Sequence, residues 1–350
     1  MRLERDFSET RALLVARARE RRNPFTHTDP DVAARILERL SSTAHEAWVD
    51  AFMTEGEACA RRDEWGAAYG YARVARYPSL TSAAKREAYT RSREWFVRMV
   101  AARDPAFERV AIAFAGRSGE GDRIPAYLRV PAGDVRRPVI VCWGGIDAFK
   151  EERRTDAYCA AGWAALAIDM PGTGEAPIAG SIDGERLWDA IFDWVASRRD
   201  LDATRVALVG SSTGGYWAAK LAHVRPHRIV AAVDHAGPAH HAFAREWIAR
   251  ASFGEYPFEY AASLAHAFGM RSADEWPQRA HDLSLLDSGV LDRPSAPLLA
   301  LDGEDDTVFP VADLRLVAEH GGELRLFPGG HMGEGDTSAA IRAWLAERLR

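Results

Sequence analysis

The stretch Val206-Ala207-Leu208-Val209-Gly210-Ser211-Ser212-Thr213-Gly214 decides the fold class of this chain. Its four apolar residues, two of them β-branched, predict a buried strand. The Gly-x-Ser-x-Gly that follows predicts a sharp turn from strand to helix, which holds a serine above the sheet. Ser212 is therefore the candidate nucleophile. Because such a pentapeptide also arises by chance, the rest of the chain has to support this interpretation.

Two later segments offer partners for that serine. The strand-like run 297–301 is followed by Asp302-Gly303-Glu304-Asp305-Asp306, and the run 323–327 is followed by Pro328-Gly329-Gly330-His331. A histidine would take the proton of a serine hydroxyl, and a carboxylate would orient the histidine. His331 is the candidate base. Asp302, Asp305 and Asp306 are the candidate acids, although aspartate is also common in turns.

A third strand-like run, 138–143, leads into Gly144-Gly145-Ile146-Asp147. Backbone N–H groups of Gly145 and Ile146, together with that of Thr213, could bind an oxyanion that develops during acyl transfer. The glycines would let a substrate approach the backbone closely. The alternative is an ordinary Gly-Gly turn.

Composition excludes several other classes of function. The net charge of −6 argues against a nucleic-acid partner. We interpret the basic run 17–22 as a solvent-exposed helix face. Three scattered cysteines are too few for a disulfide framework or a zinc site, and we expect neither a metal nor another cofactor. No apolar stretch is long enough for a membrane span or a signal peptide, so we expect a cytoplasmic protein.

The chain divides into two parts of different pattern. Residues 1–105 show helical periodicity, for example at Val32, Ile36 and Leu40, with a helix start at Asp29-Pro30. Residues 106–350 alternate strands with helices, which predicts an α/β fold with a mostly parallel central sheet and helices on both faces. The segment 239–290 is too long for a plain connection. We expect it to be a helical lid.

Further residues carry a resemblance to a known family. Asp169-Met170-Pro171-Gly172-Thr173-Gly174 resembles the Asp-x-Pro-Gly-x-Gly loop of α/β-hydrolases, and 106–350 resemble that fold throughout. The segment 144–152, Tyr77-Pro78 and the helical N-terminal part are similar to one subgroup. That subgroup includes 2,6-dihydropseudooxynicotine hydrolase, FrsA-like esterases and fungal hydrolases that shorten polyketide pigment precursors.

The resemblance implies further expectations. Its Gly-x-x-Asp-x-x-x-Pro spacing favours Asp306 as the acid, with Asp305 as the alternative. It implies that residues 1–105 form a cap over the catalytic edge. It also implies a small-molecule substrate, cleaved at an ester or at a carbon–carbon bond beside a ketone. A carbon leaving group must be protonated, and Asp147, Asp234 or His235 could help because each is expected past a strand end.

We expect a bulky aromatic or polyketide-like substrate, from the resemblance and from aromatic side chains near the site. These are Tyr216 and Trp217 beside the nucleophile, and Trp247, Phe253, Tyr256, Phe258 and Tyr260 in the insertion. An acyltransferase or cyclase with the same triad, and a simple carboxylesterase, remain alternatives. The assembled triad argues against a non-catalytic binding module. The sequence is also compatible with a homodimer.

Overall fold

The computed structural model describes residues 2–101, 103–104 and 106–350. Five helices come first: α1 (Phe7–Arg19), α2 (Pro30–Arg39), α3 (His45–Ala60), α4 (Trp65–Ala75) and α5 (Ala83–Ala101). The predicted helix start is confirmed, because the Asp29 carboxylate accepts hydrogen bonds from the backbone N–H groups of Asp31 and Val32. Pro105, at the predicted boundary between the two parts, lies outside the described residues.

The remainder is built on one eight-stranded sheet. Its strands are β1 (Phe107–Ala113), β2 (Arg123–Arg129), β3 (Arg137–Trp143), β4 (Ala164–Ala167), β5 (Leu201–Ser211), β6 (Ala231–His235), β7 (Leu298–Gly303) and β8 (Gly322–Phe327). Their spatial order is β1-β2-β4-β3-β5-β6-β7-β8. Strands β3 to β8 are parallel to their neighbours, and the hairpin β1–β2 joins them antiparallel to β4. The mostly parallel sheet predicted from the sequence is confirmed.

Eight helices accompany the sheet: α6 (Thr155–Ala160), α7 (Arg186–Ser197), α8 (Gly215–Val224), α9 (Arg245–Ala251), α10 (Tyr260–Ala267), α11 (Trp276–Arg279), α12 (Val311–Glu319) and α13 (Thr337–Arg348). Helices α9 to α11 belong to the segment between β6 and β7, which we expected to be helical. None of the helices in the described ranges has the length and hydropathy needed to cross a membrane.

Alternation along the central strands explains the two layers of helices. In β3, Val139 and Val141 belong to the core cluster that contains α7, α8 and α12. Ile140 and Cys142 belong instead to the cluster that contains the N-terminal helices and α13. Because successive side chains of a strand point to opposite faces, a strand that is apolar at every position needs cover on both. Cys142 is thus the small core residue that its position in a strand predicts.

Candidate active site

Ser212 lies in the sharp turn between β5 and α8 that its motif predicts. Its φ angle is +55°, in the left-handed region that is costly for a residue other than glycine. A Cβ on Gly210 would collide with the carbonyl oxygen of Gly214, and a Cβ on Gly214 with that of Gly144. The two motif glycines are therefore needed for the turn, which leaves the Ser212 side chain facing a cavity.

His331 bridges Ser212 and Asp306. Its Nε2 lies 2.8 Å from the Ser212 Oγ, and its Nδ1 lies 2.7 Å from the Asp306 Oδ2. Because Asp306 accepts the Nδ1 proton, the neutral imidazole presents an unprotonated Nε2 to the serine. The serine and histidine, which are 119 residues apart in sequence, thus join Asp306 in one hydrogen-bonded chain.

The structure also separates the three candidate carboxylates. Asp306 is buried, and its Oδ1 accepts hydrogen bonds from the N–H groups of Val308 (2.6 Å) and Phe309 (3.2 Å). Asp305 is exposed to solvent. Asp302 is buried behind Asp306, and its Oδ1 accepts from the N–H groups of Gly303 and Met332. Only Asp306 of the three is hydrogen-bonded to the His331 ring.

The three buried groups shift one another's pKa. Burial and the neighbouring Asp306 raise the pKa of Asp302 to about 9, so Asp302 is a neutral carboxylic acid at pH 7. Burial alone would lower the pKa of His331, but the charge and hydrogen bond of Asp306 outweigh it and raise that pKa to about 9. Burial opposes ionisation of Asp306, but its interactions with His331 and Asp302 keep its pKa below the usual value.

The loop after β3 lies close to Ser212, as the predicted oxyanion site would require. A Cβ placed on Gly145 would lie 2.9 Å from the Ser212 Cβ and 3.2 Å from the Thr213 backbone nitrogen. Any side chain at Gly145 would therefore fill the space in front of Ser212 and Thr213. Ile146, the next residue of the loop, is buried. This geometry brings Gly145 and Thr213, two of the three predicted oxyanion residues, close together.

A cavity of about 380 Å³ opens above Ser212 and His331. Its lining comes from both parts of the chain. The N-terminal helices and their loops contribute Arg17, Arg22, Asn23, Thr26, His27, Arg73 and Tyr77. The sheet loops and the insertion contribute Gly145, Asp147, Ala148, Glu152, Arg153, Ser211, Glu255, Tyr256, Pro257, Val308 and Met332. Most of these side chains are polar or charged, so the largely aromatic pocket expected from the sequence is not what the structure forms.

Asp147 lines the cavity, but the other residues predicted to lie near the substrate, Tyr216, Trp217, Asp234 and His235, do not. Tyr216 and Trp217 are buried in α8 and pack against other core aromatics such as Phe268, because this face of the helix turns toward the core. Asp234 and His235 were expected beyond the end of β6, but they are its last two residues and are buried there.

The buried pair at the end of β6 has structural partners. Asp234 accepts a hydrogen bond from Gly237 N–H, and burial raises its pKa to about 7. His235 lies 2.9 Å from the Met332 carbonyl oxygen through its Nε2, and burial lowers its pKa to about 4. The prediction that either binds substrate receives no support from this geometry.

Most aromatic residues of the insertion pack in the hydrophobic core and do not line the cavity. Tyr256 lines the cavity, whereas Phe258 packs against Trp48 of α3 and Tyr260 against Phe309. Trp247 is partly buried against the core. Phe253 is 40% exposed. These rings were expected to form a pocket together. Removing an aromatic ring from water is favourable wherever the ring packs, so it does not require a shared pocket.

Several charged residues of the cavity were missed from the sequence, among them Arg17, Arg73, Arg153 and Glu255. The interpretation of 17–22 as a solvated face is wrong for Arg17, which follows the buried Leu14 by three residues and so lies toward the interior. Arg73 lies on the buried α4. The Glu255 carboxylate accepts hydrogen bonds from the His331 backbone N–H and from the Thr307 hydroxyl. Helical spacing from Leu14 was the one signal that could have found Arg17.

Arg76, at the end of α4, ties the N-terminal helices to the loop that carries Gly145. Its guanidinium donates to the Asp147 carbonyl oxygen at 2.8 Å, forms an ion pair with Glu152, and lies 3.8 Å from the centre of the Phe149 ring. Arg76 and Glu152 are both almost fully inaccessible to solvent. The loop is therefore fixed in part by a residue of the helical part.

We expect Arg76→Ala to lower the free energy of unfolding by about 3 kcal/mol, because it leaves the buried Glu152 carboxylate short of a partner. Arg62→Ala is the matched control, since Arg62 pairs with Glu64 at the exposed surface and should change the free energy of unfolding far less. Urea unfolding of both variants measures the difference. Equal midpoints would contradict a structural role for Arg76.

Comparison with known proteins identifies the family of this chain. Residues 29–350 match the family model "Esterase FrsA-like". Esterase FrsA of Photobacterium profundum is 24% identical over 242 residues, which are 66% of this chain and 57% of the relative. The chain thus spans less than two thirds of that relative's length. The resemblance inferred from the sequence is confirmed.

Solved structures show the same fold. AbyA5 wild type superposes with a TM-score of 0.78 at 21% identity, covering 99% of this chain and 94% of AbyA5. The 2,6-dihydroxy-pseudo-oxynicotine hydrolase superposes with a TM-score of 0.70 at 20% identity. The superposition covers 97% of this chain and 95% of the hydrolase. At this level of identity the likeness establishes a shared fold that includes the N-terminal helices.

Proposed function

We propose that this chain, which belongs to the FrsA-like esterase family and is an α/β-hydrolase enzyme, is a serine hydrolase with Ser212, His331 and Asp306 as its triad. The bond cleaved is an ester or a carbon–carbon bond beside a ketone. The observation that carries the proposal is the continuous hydrogen-bonded chain from Ser212 through His331 to the buried Asp306.

The mechanism follows from that chain. His331 Nε2 takes the hydroxyl proton while Ser212 Oγ attacks the substrate carbonyl carbon, and Asp306 stabilises the resulting imidazolium. The oxyanion forms beside Gly145 and Thr213, where the backbone N–H groups of Ile146 and Thr213 act as donors. Collapse of this intermediate transfers the proton from His331 to the leaving group and leaves an acyl-enzyme. Water, activated by the same histidine, then releases the acid.

We also propose that residues 1–105 act as a cap. Arg17, Asn23, Arg73 and Tyr77 line the cavity in front of Ser212, which supports this role. A cap excludes bulk water from the reacting carbonyl and strengthens the electrostatic interactions around it. Tyr256 and Pro257 of the insertion lie in the same lining, as a lid would require.

The substrate that we propose is a carbonyl compound with an aromatic or polyketide-like skeleton. The rings of Tyr77 and Tyr256 are stacked with their centres 6.2 Å apart, and both line the cavity. The cavity volume suits a small molecule. For a carbon leaving group, Asp147 is the acid best placed to assist, since it lines the cavity and accepts a hydrogen bond from Asn23 Nδ2 at 2.9 Å.

Matched substrates test the reaction class. Aryl esters and aryl 1,3-diketones of equal size are offered to the enzyme and to Ser212→Ala, with and without an alcohol acceptor. Diketone turnover favours carbon–carbon cleavage, ester turnover alone favours a carboxylesterase, and ester products formed with the alcohol favour acyl transfer. Serine-dependent activity confined to peptides or small aliphatic amides would contradict the proposed substrate class.

The raised pKa of His331 predicts an alkaline activity profile. Only the neutral imidazole can accept the serine proton, so kcat/KM should fall as pH falls through the His331 pKa. Because Asp306 raises that pKa from 6.5 to about 9, the acidic limb should lie above pH 6.5. The pH dependence of kcat/KM on a non-ionising ester measures it. An acidic limb at or below pH 6.5 would contradict the conclusion that Asp306 raises the pKa of His331.

A further inference from the structure

Two of the four arginines that line the cavity form no ion pair in the part of the chain that the structure describes. Arg73 lies 3.4 Å from the Glu152 carboxylate and Arg22 lies 3.6 Å from that of Glu20. Arg17 and Arg153 have no such carboxylate partner, although both line the cavity that contains Ser212. Neither guanidinium is therefore held in an ion pair with a neighbouring acid.

Arg17 is held in place by neutral acceptors. Its two Nη groups donate to the backbone carbonyl oxygens of Asn23 and Glu255. Its Nε is buried and, among the described residues, has no acceptor. The guanidinium is thus fixed at the cavity wall with an N–H donor to spare.

Arg153 lies near the nucleophile and the base. It shares the cavity lining with Ser211 and Met332, the residues next to Ser212 and His331, and also lines an adjoining cavity. Its Nε is buried, and within the described ranges no hydrogen bond from its guanidinium is formed. Arg153 therefore brings to the wall of the cavity a positive charge that has no hydrogen-bonded partner among the described residues.

Tyr256 lies beside these two arginines in the cavity wall. It is only 8% exposed, its ring stacks on Tyr77, and its hydroxyl is hydrogen-bonded to that of Tyr77. A buried donor without an acceptor, such as the Nε of Arg17 or of Arg153, is costly, so a ligand that supplies acceptors at this wall gains affinity. Neutral ligands would leave both guanidinium charges uncompensated.

The carboxylates of the cavity do not compete for these donors. Glu152 pairs with Arg73 and Arg76, and Asp147 accepts from the Asn23 amide. Glu255 accepts from the His331 backbone N–H and from the Thr307 hydroxyl. The acids of the lining are satisfied within the protein, whereas Arg17 and Arg153 are left for a ligand.

We propose that the natural substrate carries a delocalised oxyanion, either a carboxylate or an enolate, in addition to the carbonyl group that Ser212 attacks. Arg17 and Arg153 recognise this oxyanion. This inference rests on the proposed serine hydrolase function and narrows its substrate class. Arginine suits the role because its planar N–H groups match the two oxygens of such an anion.

A matched pair of esters tests the proposal. Mono-p-nitrophenyl glutarate carries a free carboxylate, and its methyl ester is the neutral counterpart. Charged hydrogen bonds of this kind contribute roughly 10- to 100-fold, so the wild-type enzyme should show a kcat/KM about 10-fold or more higher for the carboxylate. An enolate is tested separately, by comparing inhibition by dimedone with inhibition by its neutral O-methyl ether.

Arginine variants identify the binding residues. Arg17→Met or Arg153→Met should remove the preference for the anion, measured in each variant as the ratio of kcat/KM on the two esters. Arg19→Met is the control, because Arg19 is exposed, pairs with Glu38 and does not line the cavity, and it should keep the preference. The neutral ester also reports whether each variant is folded.

The outcomes separate the two proposals. If the wild-type enzyme prefers neither oxyanion, or if both arginine variants keep the preference, the oxyanion proposal is wrong, whereas loss in either variant supports it. Serine-dependent hydrolysis of the neutral ester without an anion preference leaves the proposed function intact. Neutral-ester hydrolysis that survives in Ser212→Ala would instead contradict the proposed function itself.

Discussion

Replacing Ser212 by alanine is expected to lower kcat by about 10⁴- to 10⁶-fold on any substrate that the enzyme cleaves. The substitution removes the hydroxyl that contacts His331 Nε2 at 2.8 Å. Binding and the oxyanion donors remain, so a small residual rate over water should persist. KM should change little, because the rest of the cavity lining is unaltered.

The matched control for this variant is Ser211→Ala. Ser211 also lines the cavity and is adjacent in sequence, but it is the last residue of β5, and His331 Nε2 bonds to Ser212 instead. Its loss should change kcat by less than about 10-fold. Labelling with a fluorophosphonate should modify Ser212 alone. Modification of Ser211, or near-normal turnover by Ser212→Ala, would refute Ser212 as the nucleophile.

Replacing Asp306 by asparagine is expected to lower kcat by about 10³- to 10⁴-fold. The Val308 and Phe309 N–H groups bind Oδ1, so the amide oxygen of asparagine should stay at that position. Its NH₂ group would then face His331 Nδ1. The histidine would be held in the tautomer that carries its proton on Nε2, and this tautomer cannot accept the proton of Ser212.

Asp302→Asn is the control with a matched chemical change. Asp302 already carries a proton at neutral pH, since its pKa is raised to about 9, and its Oδ1 accepts from two backbone N–H groups. An amide can keep those bonds and donate toward Asp306 in place of the acid proton. We expect less than about 10-fold loss of kcat. Equal losses of kcat in Asp302→Asn and Asp306→Asn would mean that the two carboxyl groups act as a unit. That result would contradict the assignment of Asp306 alone as the acid of the triad.

Much of this molecule can be predicted from local sequence. The turn at Ser212 is encoded by adjacent residues: an apolar strand, two glycines whose missing Cβ atoms the turn requires, and a helix of small residues. The parallel sheet follows from repeated alternation of strand and helix. The positions of Gly145 and His331 at one edge then follow, because carboxyl ends of parallel strands lie together.

Other features depend on contacts between distant segments. Asp305 and Asp306 have the same chemistry and adjacent positions, and only the packing of the loop after β7 buries one and exposes the other. Tyr216 lies four residues from the nucleophile but faces the core, whereas Arg17, far away in sequence, reaches the cavity. Sequence distance to the nucleophile is therefore a poor guide to the lining of the cavity.

The sequence by itself thus determined the fold, the turn at Ser212 and the position of His331 after a strand, because each depends on short-range geometry that a few neighbouring residues specify. The tertiary structure alone decided which residues line the cavity, among them four arginines where aromatic residues had been expected. The physical reason is that the hydrophobic effect is not directional. It buries an aromatic side chain against any apolar neighbour, whereas an unpaired buried guanidinium is found only once its surroundings are known.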